Sequence, residues 1–293
     1  MNVNRYFRVF RLVTNYSRKT YVTNIPRFQT VRLINSNIYF GTGLAFLWPL
    51  KKSSPTVAVS EEKNTSIQTA DNLFDDGHYE ECYKLLLHVQ EANESDVEVE
   101  WRICRVLYNM AKEPKYDKAT QNNFILEAYS IIASLLQNNW DHYAVQKWYA
   151  LLLDSKSSKE GMKERIRQLE NVKKHMDLAV TLNPNDATTL FMLGEWCYQV
   201  TELSWYQRKV AEAFFASPPY SSYEDALEYF LRAEAVQPRF YSLNLLRLGN
   251  CYLKLKKEDQ AKYYLRLAAS YPAKSNDDHM ANTEAAELLK KLK

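Results

Sequence analysis

From about Gln68 onwards, apolar residues recur at intervals of three and four positions in one segment after another. This spacing lines up apolar side chains along one stripe of an α-helix, whereas no segment alternates for long enough to indicate a β-strand. Polar or proline-containing breaks separate the segments, at 75–77, 112–115, 138–139, 154–161, 183–184, 217–219, 237–238 and 271–272. The pattern therefore predicts an all-α domain over residues 65–293, built from many short helices.

Two of the predicted helix boundaries carry recognisable polar signals. Ser221, followed three residues later by Glu224, resembles a capping box, and it predicts a helix from Tyr223 to Val236. The pair Asn183-Pro184 is expected to end one helix and to begin the next, because proline is tolerated in the first turn of a helix.

When the helical segments are aligned, small residues recur at equivalent positions of successive hairpins. Each copy has one glycine on the first helix, two alanines on the second and a proline at the exit: Gly194, Ala226, Ala233 and Pro238, then Gly249, Ala261, Ala268 and Pro272. The first alanine lies 32 positions after the glycine in the first copy and 12 positions after it in the second, so the first copy carries an insertion of 20 residues. We expect the small residues to permit close helix crossings. The predicted fold is a stack of antiparallel hairpins, a tetratricopeptide-like solenoid.

The beginning of the chain differs from the rest in charge. Residues 1–60 contain nine Lys or Arg and no acid, whereas residues 61–293 hold 29 basic and 35 acidic side chains. The basic residues of the leader include Arg5, Arg8, Arg11, Arg18 and Lys19. On a helical wheel the first three share one arc, and apolar side chains such as Val9 and Phe10 lie opposite. Residues 1–37 are therefore predicted to be a mitochondrial targeting leader, with a disordered basic tail as the alternative.

A short apolar segment follows the leader. Residues 33–50 carry no charged side chain, and 38–50 are strongly apolar. A bilayer span needs about 20 predominantly apolar residues, and the polar stretch 35–37 dilutes this one. Residues 38–50 are thus either a single membrane anchor or a leader remnant or interfacial segment. Residues 51–64 are predicted to be a linker.

The sequence of the helical domain argues against several classes of function. Its excess of acids disfavours nucleic-acid binding, which requires clustered cations. The six glycines form no nucleotide-binding loop, and the five histidines show no metal-ligand spacing. The four cysteines form no C-x-x-C pair and are expected to be buried and reduced. We therefore predict no catalytic residue, no metal and no cofactor.

From Trp140 onwards the chain also carries motifs that a generic repeat does not require. They include 147–150 (KWYA), 182–184 (LNP), 205–208 (WYQR), 240–242 (FYS) and 271–273 (YPA). In these motifs the chain resembles the regulator of microtubule dynamics family, and the motif that begins at Trp205 lies inside the insertion. The resemblance implies a tetratricopeptide-like cytoskeletal protein without a known catalytic residue, linked to microtubules, the spindle and spindle poles. One member of the family is anchored in the outer mitochondrial membrane and is thought to carry lipids, but this chain lacks its clean anchor and coiled-coil linker.

The predicted function is therefore a non-enzymatic scaffold whose concave face binds protein partners, with microtubules as a partner by resemblance. Deletion of residues 1–60 is expected to abolish direct, salt-sensitive microtubule binding, because that segment holds the concentrated basic charge. The predicted location is the mitochondrion, from the leader, and/or the cytoplasm, spindle and spindle pole, from the resemblance.

The alternative function is a lipid-binding or lipid-transfer module at a mitochondrial contact site, in contact with membrane lipid. Its apolar groove would be lined by Trp196, Trp205, Tyr206, Phe214 and Phe215. The same rings could instead fill the core of the solenoid and leave no cavity.

Overall fold

The structure, a computed structural model, describes the backbone of residues 55–92 and 96–292, and the side chains of this part from Lys63 onwards. The described residues form thirteen α-helices and no strand. In chain order, α1 to α13 are Pro55–Asp75, Tyr79–Ala92, Val97–Met110, Lys118–Asn138, Tyr143–Glu160, Met162–Arg167, Leu169–Leu182, Ala187–Thr201, Trp205–Glu212, Tyr223–Val236, Ser242–Lys254, Glu258–Ala269 and Asn276–Lys291. Residues Ser60–Lys293 make one compact unit. The leader and apolar segment predicted over 1–37 and 38–50 lie outside the described residues.

Most helices pair into hairpins, α3 with α4, α5 with α7, α8 with α10, and α11 with α12. In addition, the second helix of each hairpin contacts the first helix of the following one, and α12 packs against the final helix α13 in the same way. The first hairpin, α1 and α2, packs through Cys82, whose thiol donates to the carbonyl of Ala70 over 3.1 Å. This arrangement, in which each hairpin buries a face of its neighbour, defines a helical solenoid. The predicted all-α stack of hairpins is confirmed.

The two glycines of the repeat lie where paired helices cross. A Cβ atom added at Gly194 would lie 2.5 Å from the ring of Phe230, and one added at Gly249 would lie 2.6 Å from the side chain of Leu265. Both distances are too short for real carbon contacts, so each crossing depends on a missing side chain. The four alanines of the pattern are fully buried, namely Ala226, Ala233, Ala261 and Ala268. Phe230 and Leu265 therefore occupy equivalent positions, as the alignment of the hairpins requires.

Two hairpins carry an additional short helix in their connection. Helix α6 joins α5 to α7, and α9 lies in the 20-residue insertion between α8 and α10. A capping box opens α9, because the hydroxyl of Ser204 accepts from the amide of Gln207 over 3.3 Å, and the Gln207 side chain accepts from the Ser204 amide over 2.9 Å. Helices α6 and α9 pack against each other, so the insertion is an ordered part of the domain.

The capping box predicted for α10 lies one residue further along. Helix α10 spans Tyr223–Val236 as expected, but its cap is Ser222, whose hydroxyl accepts from the amide of Asp225 over 3.1 Å. The Asp225 carboxylate in turn accepts from the Ser222 amide over 2.9 Å. The prediction of Ser221 with Glu224 was wrong because two adjacent serines precede two adjacent acids, and this pattern permits both registers.

Three other boundaries differ from the sequence prediction. Helix α8 begins at Ala187 after the cap Asp186, whose side chain accepts from the Thr188 amide, so Pro184 lies in the turn rather than in the first helical turn. Helix α5 continues through most of the predicted break at 154–161 and ends where Gly161 adopts a φ of 117°. The segment predicted as a linker over 51–64 is helical from Pro55, which suits a helix start because its absent N–H leaves no donor unpaired.

Candidate functional site

Side chains link the first helices of successive hairpins into a continuous polar series, which we call the ladder. Its rungs are Asp71 with Arg102 and Arg105, Glu98 with His142, Lys147 with Asp186, Glu195 with Arg247, and Asn250 with Glu284. In order, these rungs connect α1 to α3, α3 to α5, α5 to α8, α8 to α11 and α11 to α13. The first-helix face is therefore charged, and much of its charge is neutralised within the protein.

One further contact links two distant parts of this series. The ammonium of Lys112, which follows α3, lies 2.8 Å from the Oδ2 atom of Asp277 in the first turn of α13, 165 positions away. The same oxygen accepts a hydrogen bond from the hydroxyl of Tyr241 over 2.9 Å. We call this group of three side chains the closing contact. Through it the turn after α3 meets the first turn of α13, although these two helices are far apart in the chain.

Shifted pKa values keep Tyr241 and the neighbouring Tyr108 neutral and Lys112 charged near neutral pH. Burial raises the pKa of Tyr241 strongly, and the charge of Asp277 raises it further. Burial also raises the pKa of Tyr108, although Lys112 opposes that shift. For Lys112, burial lowers the pKa, but Tyr108 and Asp277 outweigh it and the net shift is upward. The site therefore presents two neutral phenols beside a charged ammonium group.

A second dense part of the ladder surrounds Arg247. Its guanidinium pairs with Glu195 and lies 5.0 Å from the ring centroid of Tyr198. Burial lowers the pKa of Arg247, whereas Glu195 and Tyr198 raise it, and the net shift is upward. Both members of the ion pair are mostly buried, with side-chain exposures of 23% for Arg247 and 18% for Glu195. This pair holds α8 against α11 and fixes the spacing of two hairpins.

The described residues offer little for thiol or metal chemistry. Burial raises the pKa of Cys82 to about 11 and that of Cys251 to about 12, so both stay protonated at neutral pH. The other two cysteines, Cys104 and Cys197, are also buried and their pKa values are raised. Within residues 63–92 and 96–292, no group of three or more His, Cys, Asp and Glu is placed to hold a metal ion. What the ladder can do is to present fixed donors and acceptors to a partner.

Asp71, in the ladder rung between α1 and α3, makes the stability of the protein depend on pH. Burial raises the pKa of Asp71, but hydrogen bonds from Arg102 and the charge of Arg105 outweigh it and hold the pKa below its usual range. A depressed folded-state pKa contributes stability that is present above the unfolded value of about 3.9 and is lost as pH falls further. Asp71→Asn should therefore destabilise the protein at pH 7 and flatten the loss of stability below about pH 4.

This prediction is checked by urea unfolding between pH 3 and pH 7 in wild type and variant. Asp75→Asn, which changes an exposed carboxyl at the end of the same helix, is the matched control and should keep the wild-type profile. If the free energy of unfolding falls equally steeply with decreasing pH in wild type and in Asp71→Asn, the lowered pKa is wrongly assigned to Asp71.

The structure does not bring the five predicted groove residues together. Trp205 and Tyr206 lie on α9 with 74% and 55% of their surfaces exposed. Phe215 is partly buried in the core, and the ring of Phe214 lies 4.8 Å below the guanidinium of Arg167. Of the five, Trp196 alone lines the cavity of about 190 Å³ between α7, α8 and α10. The sequence could not show that these rings lie apart. Aromatic residues that are neighbours in an insertion need not face the same side, and the sequence does not reveal which side of α9 faces the core.

Sequence reasoning missed the ladder altogether. Its partners are far apart in the chain, as in Glu195 and Arg247, which are 52 positions apart. The available signal was weak: charged residues such as Arg102 and Arg105 interrupt the apolar stripe of α3. Such residues indicate a buried ion pair, but they do not identify the partner.

The basic residues of the predicted leader, Arg5 to Lys19, lie outside the described part of the chain. Among the described helices, none is both long enough and apolar enough to cross a bilayer. The prediction of an anchor over 38–50 is not affected by this finding, since those residues are not among the ones described.

A family model for regulator of microtubule dynamics protein 1-3 matches residues 66–293 of the chain. Regulator of microtubule dynamics protein 1 from Pongo abelii is 40% identical over 223 residues, which cover 76% of this chain and 70% of that protein. Regulator of microtubule dynamics protein 3 from Rattus norvegicus is 32% identical over 80% of this chain and 52% of its own length.

Among solved structures, a thermophilic TPR protein from Thermus thermophilus aligns with a TM-score of 0.55. The alignment covers 77% of this chain and 99% of that one at 14% sequence identity. At this identity the similarity concerns the fold alone, and it agrees with the hairpin stack described above.

Proposed function

Because this chain belongs to the regulator of microtubule dynamics protein family, we propose that it is a non-enzymatic scaffold that links microtubules to protein partners. The observation that carries the proposal is the extent of the family match, which runs from residue 66 to residue 293 and so covers the stacked hairpins. The tetratricopeptide-like fold supports a scaffold role, since stacked hairpins offer extended surfaces for binding other proteins.

On the hairpin domain, partner binding is proposed for the first-helix face. The ladder holds its side chains in fixed positions, so a partner segment meets an already ordered array and little entropy is lost on binding. Beside the ladder, other charged pairs remain accessible, such as that of Lys254 and Glu202, which lie 2.6 Å apart with exposures of 43% and 41%. Lys112 is likewise 46% exposed beside Asp277. In such half-exposed pairs, a charged side chain can release its partner within the protein and pair with a charged group of the bound protein instead.

Direct contact with the microtubule is assigned to the leader rather than to the hairpins. Microtubule surfaces are acidic, and residues 61–293 carry six more acidic than basic side chains, with 35 against 29. Residues 1–60 hold nine basic side chains and no acid. Opposite charges attract over about 10 Å at moderate salt, so the leader is favoured and the hairpin domain is disfavoured at such a surface.

Neutralising the leader should abolish direct microtubule binding. In the full chain, Arg5, Arg8, Arg11, Arg18 and Lys19 are replaced together by glutamine, and pelleting with purified microtubules is measured over a salt series. We expect wild type to pellet at low salt and to be released as salt rises, and the variant to stay in the supernatant throughout. A deletion of residues 1–54 should behave in the same way, and it leaves α1 complete because that helix begins at Pro55.

A matched variant controls for the change in total charge. Lys84, Lys174, Lys257, Lys274 and Lys290 are exposed on the hairpin domain and provide the same five-charge change. Their replacement by glutamine should leave pelleting unchanged. If the leader variant still pellets like wild type, direct binding resides in the hairpins and the assignment is overturned.

Attachment to mitochondria through the leader is part of the same proposal, and it rests on the basic, acid-free composition of the leader. Imaging of the full chain and of the leader variant, each fused at its C-terminus to a fluorescent protein, tests it. The lipid-carrying alternative gains no specific support from the described residues. The cavity beside Trp196 holds about 190 Å³, below the roughly 300–1,000 Å³ of pockets for drug-sized ligands.

A further inference from the structure

A small cavity opens among α7, α8 and α10. Its walls include three aromatic rings, those of Trp196, Tyr220 and Tyr229. Trp196 is held in place because its indole N–H donates to the carbonyl of Leu169 over 2.9 Å. Tyr220 lies in the loop before α10 and is 80% exposed, so it forms an outer wall. The cavity of about 190 Å³ has room for a small head group rather than for an acyl chain.

A cation already lies against this aromatic wall. The ammonium of Lys173, on α7, lies 5.6 Å from the ring centroid of Trp196, within the distance at which a cation is attracted to the face of an aromatic ring. The same ammonium lies 2.6 Å from the carboxylate of Asp177. Burial lowers the pKa of Lys173, but Asp177 outweighs it and the net shift is upward, so the side chain is charged at neutral pH.

The charge lining the cavity favours a second cation. Asp225 and Glu228, both on α10, are among the residues that line it. Asp225 accepts hydrogen bonds from the Ser221 hydroxyl and the Ser222 amide, which are neutral donors and leave its negative charge in place. Lys173 is the one cation among the lining residues, and Asp177 already neutralises it. The cavity therefore keeps an excess of negative charge beside three rings.

We propose that this cavity binds a quaternary ammonium group, of the kind carried by choline, between Trp196, Tyr220 and Tyr229 and beside the Asp225 and Glu228 carboxylates. A trimethylammonium group is weakly hydrated and donates no hydrogen bonds, so its methyl surface suits aromatic walls better than a small hydrated cation does. The group can belong to free choline or to a phosphocholine lipid head group. Binding here is independent of the microtubule function proposed above, since none of these residues belongs to the ladder or the leader.

Titration calorimetry on the full chain tests the site, with tetramethylammonium, choline and phosphocholine as probes and ethanolamine and sodium as comparisons. We expect the three quaternary ammonium compounds to bind in preference to ethanolamine and sodium. Tyr220→Ser should weaken binding about two- to fivefold, the usual contribution of one exposed cation–π contact. Glu228→Gln should weaken it by a similar factor. Lys173→Met should tighten it, because it removes a competing cation and retains an apolar stem.

Two exposed residues outside the cavity provide matched controls. Tyr263→Ser on α12 and Glu224→Gln on α10 make the same chemical changes and should leave affinity unchanged. Neither Tyr220 nor Glu228 is buried, so their variants should fold normally. Vesicles of phosphatidylcholine and of phosphatidylglycerol distinguish a lipid head group from free choline as the ligand. Retention of the protein on phosphatidylcholine vesicles alone indicates the lipid head group. Binding of soluble choline without retention on either vesicle indicates the free compound. If neither wild type nor Lys173→Met prefers tetramethylammonium to ethanolamine, the proposal is overturned.

Discussion

Replacing Phe230 by alanine should lower the free energy of unfolding by about 3–5 kcal/mol, the usual range for removing a buried phenylalanine side chain. Phe230 is completely buried, and its ring fills the space that Gly194 leaves on the facing helix. Alanine leaves that space empty, because the surrounding structure relaxes only partly around such a cavity. For a domain of this size the loss corresponds to a fall of about 6–20 °C in the melting temperature.

Chemical denaturation and thermal unfolding followed by circular dichroism measure this effect. Tyr263→Ala removes an aromatic ring of similar size that is 55% exposed on α12, and it should change stability by no more than about 0.5 kcal/mol. A loss below about 1 kcal/mol for Phe230→Ala would show that the crossing with Gly194 is not as tightly packed as described.

Replacing Glu195 by alanine should cost about 2–4 kcal/mol, because it leaves the charge of Arg247 in a mostly enclosed site without its carboxylate. The two side chains connect α8 and α11, and their exposures of 18% and 23% leave limited access for compensating water. The lower end of the expected range applies if water reaches the guanidinium of Arg247 in the variant.

A double variant separates the loss of the pair from the cost of the unpaired charge. Glu195→Leu combined with Arg247→Met places two apolar side chains in the same space, and such replacements are often close to neutral. We therefore expect the double variant to recover most of the stability that Glu195→Ala loses. In the exposed pair of Lys209 and Glu212, with exposures of 53% and 49%, Glu212→Ala should have little effect. A double variant as unstable as the single one would refute the explanation.

The parts of the fold that depend on local spacing could be predicted from sequence. Gly194 and Gly249 mark helix crossings because a side chain at either position would collide with the facing helix, and that requirement recurs at a fixed place in each hairpin. The exact helix starts could not be predicted as well. The cap of α10 is Ser222 rather than Ser221, and α8 begins after Asp186 rather than at Pro184.

The contacts that shape the candidate site could not be predicted in this way. The ladder joins residues such as Glu195 and Arg247 whose separation reflects the lengths of the intervening helices and insertion. The exposed position of Trp205 depends on how α9 docks on α6, which no periodicity of an eight-residue helix specifies. Three-dimensional packing decides both.

The closing contact has a consequence for how the protein forms during synthesis. In a solenoid that touches only nearest neighbours, each hairpin can settle as soon as its successor is complete. Here the ammonium of Lys112 finds its carboxylate only at Asp277, near the end of the chain. The hairpin of α3 and α4 therefore leaves the ribosome before Lys112 has a carboxylate partner, and the closing contact forms only when α13 has been made. A stop codon before that helix would thus remove the partner of a lysine that was made 165 residues earlier.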